Sequence, residues 1–368
     1  MPTPESPVPP TLEAVARLAQ VSLSTASRAL RNHPDISAAT IARVRGVADK
    51  IGYRPNPLVR SLMTQVRTGH VDHSGACLAY LDMSPRHDFW RTYAVTRKFF
   101  QGARERAAAL GFSFERFFPA ADGFSRDRLT RMLEARGIRG VLLPVHVEHE
   151  PVRLTVDDFP LDLGHFASVA IGGEYMDPAV HFSSNNQYMS GRVARRHLRD
   201  LGYTRPGIVI EPKVDRSTDS RFQAGFFSDR WPAPDMPVPV LFAKPGDERA
   251  FAAWYREHRP DCVVANFPYI HDWLLALGVS VPRECAFASL DWDETTSSFA
   301  GINQRSDAVA AAAVDMLVAQ LDRNEIGFPA IARGIFIDGV WVEGPSAPPR
   351  AATPAKAIAP KRRATSIA

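Results

Sequence analysis

The strongest constraint on the fold is a close succession of helix signals between Thr11 and Gly52. Thr11, Ser22 and Ser37 are residue types favoured at helix N-caps. Apolar residues follow each of them at helical spacing, and Gly52 is suited to end the last helix. The pattern predicts three short helices, the first two joined by a tight turn, which is the helix-turn-helix arrangement.

Charge is unevenly distributed along the 368 residues. Residues 1–67 carry nine basic and four acidic side chains, and residues 346–368 carry five basic side chains and no acid. The whole chain has a net charge of +4, so the segment between these two is acidic. A basic N-terminal segment on an acidic body predicts that the N-terminal segment meets nucleic-acid phosphates.

Cysteine usage and hydropathy indicate the compartment. Cys77, Cys262 and Cys285 each lie in an apolar run, which is typical of reduced core residues in a cytoplasmic protein. Residues 2–10 are rich in proline and polar, so we expect no secretory signal. No apolar run approaches membrane-spanning length, and we expect no membrane contact.

A set of residues at fixed spacing extends through the three predicted helices and beyond them. The set consists of Val15-Ala16, Ala19, Val21-Ser22, Thr25, Ser27-Arg28, Leu30, Ile51-Gly52-Tyr53, Pro55-Asn56 and Arg60-Ser61-Leu62. On these residues, the run from Thr11 to Leu62 resembles the headpiece of the LacI/GalR family of bacterial transcription regulators. The resemblance implies a sequence-specific regulator, expected to be a repressor, that binds a palindromic DNA operator as a homodimer under the control of a small-molecule effector.

The resemblance also implies roles for individual residues. Leu23, Ser24 and Arg28 are expected to contact bases: Leu23 a thymine methyl group, Ser24 several bases, and Arg28 guanine through two hydrogen bonds. The remaining predicted DNA contacts include phosphate anchors that set the register. They are Thr11, Leu12, Ser22, Thr25, Ser27, Tyr53, Asn56 and Arg60. The alternative is a three-helix bundle that binds protein, but clustered basic and hydroxyl side chains have no packing reason in such a bundle.

Leu62 matches the leucine wedge of the family, which enters the minor groove and kinks a central pyrimidine–purine step. The alternative for Leu62 is ordinary packing within the hinge. Three residues depart from the family pattern. Gln20 stands at a turn position that is usually Gly, so a different backbone or some strain is expected there. Pro57 and Val59 stand where family hinges usually carry small helix formers.

From Ala76 onward, short apolar runs alternate with helical patterns, which predicts parallel β-sheets covered on both faces. The fold class is therefore α/β after an all-α headpiece, and the resemblance implies a two-lobed, periplasmic-binding-protein-like effector domain. The predicted segments are a disordered N-terminus (1–10), the helix-turn-helix domain (11–55), a hinge helix and linker (56–70), the effector-binding and dimerisation domain (71–344) and a disordered basic tail (345–368). Within the effector domain we expect lobe 1 at about 71–183 and 293–324, and lobe 2 at about 184–292 and 325–344.

Effector-binding residues are expected at the carboxyl ends of strands. Asp291 follows a predicted strand and matches a frequent effector-binding acid of the family, although a structural hydrogen-bonding role is the alternative. The aromatic candidates suit a sugar or related metabolite, but they are also typical core residues. The other candidates are Trp292, Asn266, Arg216, Arg221, Phe89, Trp90 and Tyr93. Phe267 replaces the acid that usually follows the position of Asn266.

Other classes of protein are less well supported. The segments 70–73 and 146–149 each contain two histidines and an acid, but without helical periodicity they are typical of solvated loops rather than metal sites. The chain has no G-x-S-x-G motif, phosphate-binding glycine loop or paired-cysteine motif. We therefore expect neither an enzyme nor a cofactor. An exported sugar-binding protein would fit the body but not the headpiece.

Overall fold

The computed structural model describes residues 11–30, 32–51, 53, 76–88, 94–144, 154–156, 159–228 and 237–350. The chain folds into two compact units. One contains Met1–Asn185 and Arg305–Ile337, and the other contains Asn186–Gln304 and Asp338–Ala368. Among the described residues, no helix is both long enough and apolar enough to cross a membrane.

Three short helices form the N-terminal bundle: α1 (Leu12–Leu18), α2 (Leu23–Leu30) and α3 (Ala38–Lys50). The predicted N-caps are confirmed. The side-chain oxygens of Thr11, Ser22 and Ser37 accept backbone hydrogen bonds of 3.2, 3.1 and 3.3 Å from the residues three positions on. These bonds satisfy N–H groups that a helix start leaves unpaired. The apolar faces of the helices meet in one core, whose fully buried members are Val15, Ala26, Ala29 and Val44.

The first unit contains a six-stranded, all-parallel sheet in the order β13-β7-β5-β3-β1-β2. Apolar residues are buried on both of its faces, one with α4 and α11 and the other with α5. This confirms the predicted sheet covered on both faces. The elements are β1 (Cys77–Leu81), α4 (Ala94–Ala109), β2 (Ser113–Phe117), α5 (Arg126–Ala135), β3 (Gly140–Pro144), β5 (Ala167–Ile171), β7 (His181–Asn185), α11 (Ser306–Arg323) and β13 (Gly334–Ile337), with the pair β4 (Leu154–Thr155) and β6 (Met176–Asp177).

The second unit also has a six-stranded sheet, in the order β14-β12-β11-β10-β8-β9. Five strands are parallel, and the edge strand β14 runs antiparallel to β12. Two apolar clusters again cover the two faces. The elements are α6 (Gln187–Asp200), β8 (Pro206–Ile210), α7 (Pro212–Ser217), α8 (Arg221–Phe226), β9 (Leu241–Phe242), α9 (Glu248–His258), β10 (Cys262–Ala265), α10 (Tyr269–Ala276), β11 (Ala286–Ser289), β12 (Ala300–Asn303) and β14 (Val340–Val342).

The lobe boundaries differ from the predicted ones. The first crossing lies between residues 185 and 186, close to the predicted position at 183. The other two crossings, between 304 and 305 and between 337 and 338, lie later than predicted. They do so because β12 pairs with β11 in the second sheet, while β13 pairs with β7 in the first.

The start of the predicted C-terminal tail at Pro345 is wrong. Residues 345–350 are described and pack onto the second unit, where Ala347 has no exposed surface. The Ser346 hydroxyl donates to Phe287 O at 2.7 Å and accepts from Ala300 N at 2.8 Å. Composition alone concealed this segment, because small residues and prolines can form a strap when their polar atoms find partners. Residues 351–368 lie outside the described residues.

Candidate nucleic-acid interface and ligand-binding region

The N-terminal end of α2 presents an exposed polar and apolar surface. Leu23 is 52% exposed, and Ser22 and Ser24 are also exposed. The Ser22 hydroxyl shares hydrogen bonds with the hydroxyls of Ser24 at 2.9 Å and Thr25 at 2.8 Å. A helix begun by small hydroxyl residues, with one apolar side chain standing out, has the shape and chemistry to enter a major groove.

Arg28 lies near the C-terminal end of the same helix. Its side chain is 41% exposed, and its Nη1 atom lies 4.0 Å from Oδ2 of Asp35, which is 66% exposed. Sequence reasoning identified Arg28 but missed Asp35, because nothing in the pattern placed the loop carboxylate beside this guanidinium. The arginine retains enough exposure to donate hydrogen bonds to a partner.

The other predicted DNA contacts fall into three groups. Thr11 is exposed but its side chain caps α1, and Leu12 packs partly into the core of the bundle. Ser27 and Tyr53 are half-buried, and burial raises the pKa of the Tyr53 phenol, so that the hydroxyl stays protonated. Three further residues lie outside the described residues: Asn56, Arg60 and Leu62.

The turn between α1 and α2 shows the consequence of placing Gln where Gly is usual. Gln20 is exposed and has a φ of 52°, a left-handed conformation that a side chain makes costly. The predicted departure therefore takes the form of backbone strain. Beside it, Leu18 is 55% exposed, which helical periodicity did not single out.

At the carboxyl ends of the second sheet, Asn266 connects two neighbouring strands. It is buried, and its Oδ1 accepts a hydrogen bond of 3.2 Å from the backbone N–H of Glu211, the residue after β8. Tyr269 donates its hydroxyl to Glu211 Oε2 at 3.4 Å, and burial followed by the Glu211 charge raises the pKa of that phenol. The Phe267 and Tyr269 rings stack with their centroids 5.5 Å apart. The sequence pattern did not identify this aromatic pair as a candidate for effector binding. The feature that could have indicated it is Phe267, which stands where an acid is usual.

Asp291 and Asp293 follow β11 and differ in environment. Asp291 is exposed, and its backbone N–H donates to Ser289 Oγ at 3.1 Å. Asp293 is buried and caps a short 3-10 helix, its Oδ1 accepting from Thr295 N at 2.8 Å. Asp293 therefore has the structural role, while the Asp291 carboxylate reaches solvent. Trp292, between them, has an indole Nε1 that is buried without a hydrogen-bond partner among the described residues.

The remaining effector candidates are placed differently. Arg216 is exposed on α7, and Arg221 begins α8, where its guanidinium pairs with Asp219 Oδ2 at 3.0 Å. Both arginines therefore lie on helices that follow β8. Phe89, Trp90 and Tyr93 lie outside the described residues, as do both histidine-containing segments. No cluster of metal-ligating side chains occurs within the described ranges.

The first sheet has a buried acid at the carboxyl end of β1 that sequence reasoning did not select. The Oδ1 atom of Asp82 accepts hydrogen bonds from the backbone N–H of Ser84, at 3.0 Å, and from its hydroxyl. Oδ2 of Asp82 lies 3.8 Å from Nε of Arg116, whose guanidinium stands 3.5 Å from the centre of the Phe100 ring. These contacts give Asp82 a role in fixing the start of the loop that follows β1. The sequence feature that could have indicated Asp82 is the position of this acid directly after the first strand.

Comparison with known families matches two parts of the chain. The family described as "Bacterial regulatory proteins, lacI family" matches residues 11–56, which include the three-helix bundle. The family described as "Periplasmic binding protein-like domain" matches residues 195–331. The two matches are in the order that the sequence predicts.

Individual proteins show the same relationship. An "Uncharacterized HTH-type transcriptional regulator in aml 5'region" from Streptomyces limosus is 30% identical over 232 residues, covering 61% of this chain and 58% of that protein. The ribose operon repressor of Escherichia coli is 23% identical over 324 residues, covering 84% and 92%.

Two solved structures share the fold. A transcriptional regulator CelR–cellobiose complex has a TM-score of 0.55 at 19% identity, covering 92% of this chain and 99% of that one. A lac repressor dimer bound to operator and the anti-inducer ONPF has a TM-score of 0.53 at 15% identity, with the same coverage. The capped three-helix bundle, the two α/β units and these matches lead to one assignment: residues 11–56 belong to the lacI family of bacterial regulatory proteins, and residues 195–331 belong to the periplasmic-binding-protein-like domain family.

Proposed function

We propose that this chain is a cytoplasmic, sequence-specific transcription regulator, acting as a repressor, that binds a palindromic operator as a homodimer. The observation that carries the proposal is the exposed surface of α2. It presents Leu23, Ser24 and Arg28 from one helix that its neighbours hold in a single apolar core. An apolar side chain, a hydroxyl and a guanidinium on a groove-sized helix supply the three types of base contact used in direct readout.

The test of base reading is a substitution of Arg28 with a charge-matched control. Arg28→Ala should relax base preference at one position of each half-site, at a cost of about 1–3 kcal/mol in binding free energy. Arg43→Ala removes the same charge from the exposed surface of α3, and should weaken binding to all sequences about equally. Selection from an operator library with each full-length variant measures both effects. Unchanged preference in Arg28→Ala would contradict the role.

The effector is proposed to be a sugar or related metabolite that binds at the carboxyl ends of the strands. An exposed carboxylate such as Asp291 can accept hydrogen bonds from sugar hydroxyls. The similar proteins include a ribose operon repressor and a regulator in complex with cellobiose. Both names refer to sugars, which supports a sugar as the class of effector. We expect the protein to bind such a ligand without turning it over.

A thermal-shift experiment tests the effector site. Ribose or cellobiose is added to the full-length protein, and binding to the folded state raises the Tm. Asp291→Asn should abolish the shift, whereas Asp272→Asn, an exposed acid on α10, should retain it. An equal ligand-induced rise in Tm in both variants would show that Asp291 does not contribute to ligand binding.

Ligand binding is proposed to control DNA binding through the hinge, with Leu62 as a minor-groove wedge. This residue lies outside the described part of the chain and beyond residue 56, where the lacI family match ends. The support for the wedge is therefore the resemblance of Arg60-Ser61-Leu62 to the family hinge. The coupling must be reciprocal: a ligand that weakens DNA binding is itself bound less well when DNA is present. Leu62→Ala should reduce specific binding and DNA bending together, and undiminished bending would contradict the wedge.

A further inference from the structure

The loop between α2 and α3 brings a carboxylate to the tip of Arg28. Nη1 of Arg28 and Oδ2 of Asp35 are 4.0 Å apart, and both side chains reach solvent. An acid in this place is unfavourable for affinity alone, because it approaches the phosphates whenever Arg28 approaches the bases. Because Asp35 lies beside the predicted guanine-reading residue, its benefit is expected in base selectivity rather than in affinity.

Local hydrogen bonds hold the loop that carries the acid. The backbone N–H of His33 donates to Arg28 O at 3.0 Å, and Asn32 turns the chain with a φ of 56°. Ile36 N then donates to His33 O at 3.0 Å. The His33 ring adds a backbone contact, since its Nδ1 accepts from Asp35 N at 3.4 Å. The backbone at Asp35 is thus held relative to the end of α2 by its own loop, while the carboxylate is 66% exposed.

A carboxylate that the loop carries close to Arg28 changes which partners the guanidinium can reach. The arginine side chain is long and loses much rotational freedom when it binds in one geometry. Without a neighbouring acid, it can turn to a phosphate at any sequence and still gain an ion pair. With Asp35 beside it, the guanidinium is drawn toward the loop side of α2, and its remaining donors are available to a base edge.

We propose that Asp35 is a positioning residue that confines Arg28 to base reading and so sharpens the preference for guanine at its base pair, at a cost in overall affinity. This inference rests on the proposed function, DNA reading by α2. Exposed ion pairs shift equilibria by about 1.4- to 5-fold. The discrimination that Asp35 adds is therefore of that order, on top of the larger discrimination from Arg28 itself.

The experiment uses the full-length protein and two duplexes. One is the site selected by the wild type, and the other carries a substitution at the base pair where Arg28→Ala relaxes preference. The ratio of the two affinities, measured by competition at fixed salt, is the discrimination. Asp35→Asn should lower this ratio by about two- to fivefold while raising affinity for both duplexes. Asp35→Glu, which keeps a carboxylate in the loop, should restore at least part of the ratio.

Two further variants separate positioning from simple charge removal. Glu13→Gln removes an exposed acid from α1, and should raise affinity for both duplexes without changing their ratio. In an Arg28→Ala background, Asp35→Asn should leave the ratio where Arg28→Ala put it, because the residue it positions is gone. Amide hydrogen exchange of α2 and α3 checks that each variant keeps the folded headpiece.

The outcomes are distinct. A clear wild-type motif whose discrimination Asp35→Asn leaves unchanged overturns the role of Asp35 alone. An equal fall in the Arg28→Ala background also overturns it, since the effect would then not pass through Arg28. A wild-type protein that selects no motif contradicts the proposed function itself, and with it this role.

Discussion

Gly225 of α8 packs directly against the backbone carbonyl of Tyr188 in α6. A Cβ atom placed on Gly225 would collide with that carbonyl oxygen, and one on Gly191 of α6 would collide with the carbonyl oxygen of Phe222 in α8. The two helices therefore approach backbone to backbone at both glycines, and neither obstacle is a flexible side chain that could move away. This crossing sets the distance between α6 and the helix that begins with Arg221.

Gly225→Ala should destabilise the second unit. Overpacking against a rigid backbone typically costs about 1–3 kcal/mol. Urea unfolding followed by tryptophan fluorescence measures the change. Gly173→Ala is the matched control, because a Cβ at that position meets no atom within 4 Å. Equal stability of the two variants would show that α6 and α8 separate without cost.

The turn residue Gln20 allows a second prediction, on the headpiece. A residue with a side chain in the left-handed conformation costs roughly 1–2 kcal/mol, and replacing it with Gly removes this strain. Part of the resulting stabilisation is offset, because Gly has greater conformational freedom in the unfolded chain. Gln20→Gly should therefore stabilise the headpiece by about 0.5–1 kcal/mol. Gln20→Ala keeps the Cβ atom and should give no comparable gain. Hydrogen-exchange protection of the α1 and α3 amides is the measurement, and protection that is no greater in Gln20→Gly would mean that the turn is unstrained.

The strap formed by residues 345–350 allows a third prediction. Arg350 donates its backbone N–H to Leu201 O at 2.7 Å, and its guanidinium lies 3.4 Å from Asp261 Oδ2 and 4.8 Å from the centre of the Tyr203 ring. Removing residues 345–368 should therefore cost more than about 2 kcal/mol, since it deletes several buried hydrogen bonds.

A shorter truncation is the control for the strap. Removing only residues 351–368 leaves the contacts described above for Arg350, Ala347 and Ser346 in place, and the free energy of unfolding should match that of the full chain. Chemical denaturation of both truncations makes the comparison. A large loss in the shorter truncation would place the stabilising contacts beyond Arg350.

His181 gives a pH dependence. Burial, followed by the charge of Arg333, lowers the pKa of His181 below its usual value, although Glu325 acts in the opposite direction. The ring is neutral in the folded protein, and its Nδ1 accepts from Arg333 N at 2.9 Å. The unfolded chain takes up the proton first, so the contribution of His181 to stability is present above about pH 6.5 and is lost as the pH falls from there toward the folded-state pKa.

The variant His181→Asn tests this dependence, because its amide offers an acceptor that does not titrate in this range. The free energy of unfolding is measured between pH 7.5 and 5. The wild type should lose more stability over this interval than the variant does. Parallel curves for the two proteins would show that another group carries the acid sensitivity.

Much of this fold could be predicted from the sequence, because caps and apolar periodicity act locally. The strands β1, β3, β5, β8, β10 and β11 consist of continuous apolar runs, which is the pattern that predicts buried parallel strands after Ala76. Strand β7 does not follow this pattern, because His181, Ser183 and Ser184 are polar although buried. Its polar atoms find partners in the fold, as when Ser184 Oγ donates to Gly172 O at 3.0 Å, and such partners are invisible to a hydropathy pattern.

The candidate sites show the same limit. Asp291 was located from its place after a strand, but only the structure distinguishes this exposed acid from the capping acid Asp293 two residues later. Arg28 was located by its motif, whereas Asp35 depends on the path of the loop between two helices. Contacts set by a loop conformation need coordinates, because sequence spacing alone does not fix the direction of the side chains.

Sequence-specific reading by α2 is tested by selecting bound sequences from random duplex DNA with the purified full-length protein. The selected site should be two-fold symmetric, because a symmetric dimer of headpieces is mirrored in its operator. It should have a pyrimidine–purine step at its centre and a guanine whose enrichment disappears in Arg28→Ala. Salt-sensitive binding with no enriched motif would contradict sequence-specific reading by α2.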